Sequence, residues 1–131
     1  MRIGSFIALS TAMLAAAALA STAHAQAGWR TVGYKTVGSG VDRDTIRVRG
    51  DGRYSQVRLC SINRPIQMVD FDVYFANGGA QDVPVRQRIA AGGCTRAVDL
   101  KGRRRDITQV RLAYGRIQRG YRTPLIRVQV R

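Results

Sequence analysis

The segment Val69-Asp70-Phe71-Asp72-Val73-Tyr74-Phe75 places an apolar side chain at every odd position and a polar one at every even position. A repeat of two is that of a β-strand, whose successive side chains point to opposite faces, so this stretch is read as a strand with one buried face. The same alternation recurs in residues 45–49, 83–86 and 125–130, and residues 30–37, 56–62, 95–100 and 107–114 are further strand candidates. No window sustains a helical period. The expected fold is all-β: a β-sandwich of about eight short, mainly antiparallel strands, with a small β-barrel as the alternative.

Glycine marks the turns. Gly50-Asp51-Gly52 is expected to close a tight hairpin, and Asn77-Gly78-Gly79 and Gly92-Gly93 to punctuate later segments, because glycine reaches positive φ without a Cβ clash. Pro84 lies inside a strand pattern and lacks an amide donor, which predicts an edge strand or a bulge there. An outer-membrane barrel is disfavoured, since one face of most segments carries Arg or Asp and the segments fall short of the roughly 9–11 residues a spanning strand needs.

Residues 1–25 read as a cleaved secretory signal peptide: Arg2 forms a positive start, residues 3–19 are apolar and alanine-rich, and Ala23-His24-Ala25 fits a cleavage site. The expected product begins at Gln26, and residues 26–131 are expected to form a single β-sandwich domain with no transmembrane segment. Its compartment is then exported, periplasmic or extracellular. Cys60 and Cys94 are the only cysteines, and in an oxidising compartment the simplest reading is one disulfide.

The inventory of functional groups is short. The single histidine, His24, leaves with the signal peptide, and all eight acidic residues are Asp. A Ser-His-Asp triad, a Cys-His pair and a histidine zinc site are excluded, so we expect no enzyme, no catalytic residue, no metal and no cofactor. Two carboxylate pairs with i, i+2 spacing remain, Asp42 with Asp44 and Asp70 with Asp72. Such spacing on a strand puts both groups on one face, as a glycosidase dyad or a calcium cluster requires. The simpler reading of Asp70 and Asp72 is a solvated face paired to arginines on neighbouring strands. Calcium at Asp42 and Asp44 would need more oxygen ligands than the local sequence supplies.

Charge is the strongest functional signal. Twenty-two basic residues, twenty of them arginine, give a formal net charge of +14. A coding bias accounts for the excess of Arg over Lys but leaves the charge, which favours anionic partners. Lys101, Arg103, Arg104 and Arg105 surround Gly102 and are the expected anion-binding site; Arg116, Arg119 and Arg122 form a second cluster beside Tyr121. If residues 95–100, 107–114 and 123–130 form a meander, the two clusters fall at opposite ends of the strands. Arg49-Gly50-Asp51 matches a cell-adhesion tripeptide but is explained as a turn. Trp29, Tyr34, Phe71, Phe75 and Tyr114 are expected in the core, whereas Tyr74 shares its face with Asp70 and Asp72 and suits a sugar ring or a cross-strand arginine.

Residues 29–33 (WRTVG), 73–78 (VYFANG) and 98–107 (VDLKGRRRDI), followed by Val110 and Tyr114, resemble a family of small exported bacterial proteins known as a domain of unknown function. The resemblance implies a bacterial, periplasmic, β-rich protein and brings no catalytic residues. The combined expectation is a non-enzymatic binding or structural module of the cell envelope, associating with an anionic polymer such as lipopolysaccharide or another acidic glycan. Nucleic acid satisfies the same charge, but export argues against it. The alternative is a carbohydrate-binding or protein-interaction module whose charge is incidental.

Overall fold

The computed structural model describes residues 28–49 and 52–131. The expected signal peptide and Gln26 lie outside the described residues, as do Gly50 and Asp51. Eight strands follow in order: β1 (Arg30–Thr36), β2 (Arg43–Arg47), β3 (Gln56–Ser61), β4 (Ile66–Phe75), β5 (Ala80–Ile89), β6 (Val98–Asp99), β7 (Ile107–Tyr114) and β8 (Leu125–Val130). They form two antiparallel four-stranded sheets, with spatial orders β1-β8-β3-β6 and β2-β7-β4-β5.

The inner faces of the two sheets make the core. Val57, Leu59, Ile126, Val128 and Val130 from the first sheet meet Ile46, Phe71, Val73, Val110 and Leu112 from the second, all of them buried. Each such side chain contributes about 1.5–3 kcal/mol when removed from water. The two sheets approach each other along both edges without closing a barrel. At one edge, Arg49 N–H donates to Val32 O at 2.9 Å, and a Cβ on Gly33 would lie only 2.6 Å from Arg47 O. At the other, the buried Gln81 amide takes the place of a missing backbone rung: its Nε2 donates to Asp99 O at 3.0 Å and its Oε1 accepts from Lys101 N–H at 2.8 Å.

Of the connections, only β4–β5 joins neighbours within a sheet; each of the others crosses to the opposite sheet. The β4–β5 turn is the expected Asn77-Gly78-Gly79 hairpin, with Gly78 at φ 98° and Gly79 N–H donating to Asn77 Oδ1 at 3.1 Å. The turn expected at Gly50-Asp51-Gly52 falls largely outside the described residues, but β2 and β3, the strands on either side of it, belong to different sheets and do not pair as a hairpin. The expected meander of the last three strands is likewise absent: β6 and β8 lie in the first sheet and β7 in the second. Pro84 sits on the edge strand β5, opposite Asp70 and beside a register shift.

Other departures trace to bulges. Relative to β7, β4 carries an extra residue between Met68 and Asp70, so Val69 leaves the core phase while Met68 and Phe71 both stay buried. A shift between Thr31 and Gly33 in β1 turns Val32 inward and Tyr34 outward, leaving Tyr34 68% exposed instead of in the core. Trp29 is also not core: it is half-buried between the guanidinium groups of Arg58 and Arg131, 4.2 and 4.4 Å from the ring centroid. Residues 95–100 yield only the two-residue β6. The pairing just before it runs through the Cys60–Cys94 disulfide, which the structure forms as expected.

Candidate functional site

The loop from Leu100 to Asp106 connects β6 to β7. Arg103 N–H donates to Leu100 O at 3.1 Å, closing a turn in which Gly102 has φ 90°, and Arg103 follows at φ 73°. A non-glycine residue in that region is strained, and here the fixed ends impose it. Tyr54 and Arg105 exchange both backbone hydrogen bonds, at 2.8 and 2.9 Å, and Lys101 N–H is held by Gln81. The loop is therefore anchored at both ends, with Lys101, Arg103 and Arg104 exposed between the anchors.

Arg105 differs from the other three. Its Nη1 donates to Lys101 O at 2.7 Å, its Nη2 to Asn77 Oδ1 at 3.0 Å, and its guanidinium carbon lies 3.7 Å from the Phe75 ring centroid. The fork thus holds this loop to the β4–β5 turn. Arg105 thus braces the loop, whereas the side chain of the neighbouring Arg104 is exposed and makes no hydrogen bond among the described residues. Arg104 and Arg105, with Gly52, Arg53, Asn77 and Asp106, line a half-open cleft of about 510 Å³. Lys101 and Arg103 lie outside that lining. Arg53 is a contributor that the sequence reading missed. Asp106 Oδ1 is buried here without a hydrogen-bond partner among the described residues.

Strand direction widens the basic surface. β1 begins, β2 ends, β3 begins, β4 ends, β7 begins and β8 ends at the same pole of the sandwich, as the pairs Arg30↔Val130, Val57↔Val130, Arg47↔Gln109 and Phe75↔Ile107 require. Arg30, Arg47, Arg49 and Arg131 consequently join the Arg53 and Lys101–Arg105 region there. A second cleft of about 430 Å³ is lined by Arg30, Tyr34, Arg47 and Arg49 at the seam of β1 and β2, with no carboxylate. On the outer face of the first sheet, burial first, then the charges of Arg127 and Arg131, lowers the pKa of Arg58. Positive charge at this end is poorly compensated; the one ion pair among the described residues joins Lys35 to Asp44, at 3.0 Å.

Of the two carboxylate pairs, Asp44, Asp70 and Asp72 line one cleft on the second sheet, and Asp42 lies outside its lining. Asp44 accepts from Tyr114 Oη at 2.7 Å and from Gly38 N–H at 2.8 Å, besides pairing with Lys35, so it ties β1, β2 and β7 together. Burial raises its pKa, but the hydrogen bonds from Tyr114, Gly38 and Lys35 and the Lys35 charge outweigh that and hold it below the usual carboxylate range. Tyr114 is pushed upward by burial first and by its bond to Asp44. Asp70 and Asp72 line the outer face of the second sheet with Arg43 and Arg111, yet neither forms an ion pair. Arg111 instead donates to Tyr74 Oη at 3.1 Å, the cross-strand arginine contact expected of that tyrosine. Asp72 faces Asp82, and burial first, then the hydrogen bond and charge of Asp82, raises its pKa. Among the described residues no three His, Cys, Asp or Glu side chains gather as a metal site would.

The second basic cluster lies at the other pole, beyond the end of β7. Arg116, Arg119 and Arg122 surround a turn closed by Tyr121 N–H to Gln118 O at 3.3 Å, with Gly120 at φ 90°. The two clusters remain separate, as expected, although no meander separates them.

No curated protein and no solved structure matches the chain significantly. Residues 7–129, almost the whole chain, match a family defined as a domain of unknown function, DUF2541. With the eight-stranded two-sheet fold and the basic pole in place, the chain belongs to the DUF2541 family.

Proposed function

We propose that this protein is an exported, non-enzymatic binding or structural module of the cell envelope that associates with an acidic glycan, of which phosphorylated lipopolysaccharide is one source, through its basic pole. The observation that carries this reading is the composition of the cleft between Arg53 and Arg104. It offers the exposed guanidinium groups of Arg53 and Arg104 for an anion, with the partly buried Asp106 carboxylate beside them. An acidic sugar brings both complements, an anionic group for the guanidinium forks and hydroxyl donors for the carboxylate. A bare polyanion brings only the first.

The test is binding of the oxidised protein to lipopolysaccharide, peptidoglycan, DNA and neutral glycans at low and near-physiological salt, beside an Arg53→Ala/Arg104→Ala variant. Arg105 is left intact so that the loop keeps its shape. Selective binding of an acidic glycan that persists at physiological salt and requires Arg53 and Arg104 supports the proposal. Equal binding of every polyanion, lost at physiological salt, refutes it, because unspecific charge attraction falls steeply with ionic strength.

A further inference from the structure

At the pole opposite the Arg53 cleft, a groove of about 280 Å³ is lined by Arg64, Pro65, Ile117, Tyr121, Arg122 and Pro124, with Gln118 at its margin. It combines arginines with two prolines and an exposed tyrosine. Tyr121 is 63% exposed and Ile62, whose amide bonds Leu125 O next to Pro124, is 42% exposed. Tyr121 lines the groove itself, and Ile62 lies outside its lining, two residues before Arg64. The Gly120 turn presents the tyrosine, and the tyrosine hydroxyl makes no hydrogen bond among the described residues. Two proline rings stiffen the groove, so little conformational freedom is lost when it is occupied. Arg64 and Arg122 flank it, and no carboxylate lines it.

An exposed aromatic ring next to two unpaired guanidinium groups fits a ring that carries an acid: the face packs on Tyr121 and the acidic group meets an arginine fork. The volume admits one or two sugar rings and is far too small for a folded partner. We propose that this groove is a second acidic-sugar site, and that the protein is therefore divalent and bridges two acidic glycan chains, one at each pole. The eight residues of β7 connect the poles, a span of roughly 27 Å at about 3.4 Å per residue in an antiparallel sheet, so a short ligand cannot occupy both sites. The inference rests on the acidic-glycan reading of the basic pole.

The experiment titrates the oxidised protein with a uronic-acid disaccharide by NMR and with long polygalacturonate by light scattering. The wild type and variants Tyr121→Ala, Arg64→Ala/Arg122→Ala and Arg53→Ala/Arg104→Ala are compared. Two disaccharides per protein are expected, with one set of shifted resonances at residues 117–124 and the other near residues 53 and 104. Light scattering should rise and then fall as protein is added in excess. Tyr121→Ala is exposed and leaves the fold intact; it should weaken the groove site roughly tenfold, in line with the loss of an aromatic contact, and abolish bridging while polymer binding persists. One disaccharide per protein, confined to residues 53 and 104, overturns this inference and leaves the basic-pole reading standing. Bridging that survives both groove variants also overturns it, as does equal affinity for a neutral disaccharide or a preference for an acidic peptide. Absence of binding at either pole overturns both readings.

Discussion

Replacing Arg105 by alanine separates an arginine that braces the loop from the exposed Arg104 to which the proposed function assigns ligand binding. The backbone bonds between residues 105 and 54 persist in the variant, so the loss is confined to the side chain: two hydrogen bonds, to Lys101 O and Asn77 Oδ1, and the stacking on Phe75. Half-exposed hydrogen bonds contribute about 0.5–1 kcal/mol each and the cation–π contact about 0.5–1 kcal/mol, together about 2 kcal/mol. For a domain of this size that corresponds to a fall in Tm of roughly 8–15 °C. Arg104 makes no side-chain hydrogen bond or ion pair among the described residues, so Arg104→Ala should change stability by less than about 0.5 kcal/mol. Thermal unfolding followed by circular dichroism, run beside acidic-glycan binding, gives both readouts. The expected pattern is a large Tm loss for Arg105→Ala, and for Arg104→Ala an unchanged Tm with weakened binding. Arg105→Lys should recover only part of the stability, because an ammonium cannot reproduce the planar fork. If Arg105→Ala melts within 2 °C of the wild type while losing as much binding as Arg104→Ala, the assignment of Arg105 to the scaffold is wrong.

Gly33→Ala should destabilise the protein by about 1–3 kcal/mol, since the new Cβ would meet Arg47 O at 2.6 Å where backbone cannot yield, and denaturant unfolding measures this. Asp72→Asn should raise Tm at pH 7 by removing the like charge opposite Asp82. The gain should fade on acidification, because a carboxyl with a raised folded pKa destabilises only once ionised; a lower Tm at pH 7 would contradict it. Asp44, with its lowered folded pKa, stabilises above the unfolded carboxylate pKa of about 3.9 and loses that contribution as pH falls through its folded value. Asp44→Asn should therefore flatten the acid limb of a Tm–pH profile. Reduction of Cys60–Cys94, whose partners are 34 positions apart, should cost about 3–4 kcal/mol in the chain-entropy model and is read as a lower urea midpoint in reductant.

All eight strands overlap stretches read as strand candidates in the sequence, four of which carry the period of two that a half-buried strand writes. What the period cannot show is an inserted residue, since a bulge shifts the phase without changing composition. By phase alone Val69 and Tyr34 belong in the core, and both leave it at register shifts. Strand order was also hidden: Gln81, polar by sequence, turns inward to bind the β6 edge, and nothing local marks it as the residue that links the two sheets.

The basic pole was legible by another route. Every strand reverses the direction of the one before it, whichever sheet receives it, so connections that follow even-numbered strands share a pole. The connections after β2, β4 and β6 carry Arg49 and Arg53, then Asn77, then Lys101 to Arg105, and they meet where β1 begins and β8 ends. Counting strands would have joined Arg30, Arg49 and Arg53 to the Lys101–Arg105 cluster and set Arg116, Arg119 and Arg122 at the opposite end. A meander is unnecessary to that conclusion. Counting leaves the role of each arginine undecided. The hydrogen bonds of Arg105 make it scaffold, whereas Arg53 and Arg104 remain available beside Asp106, a distinction that arises only when three loops distant in sequence pack against one another.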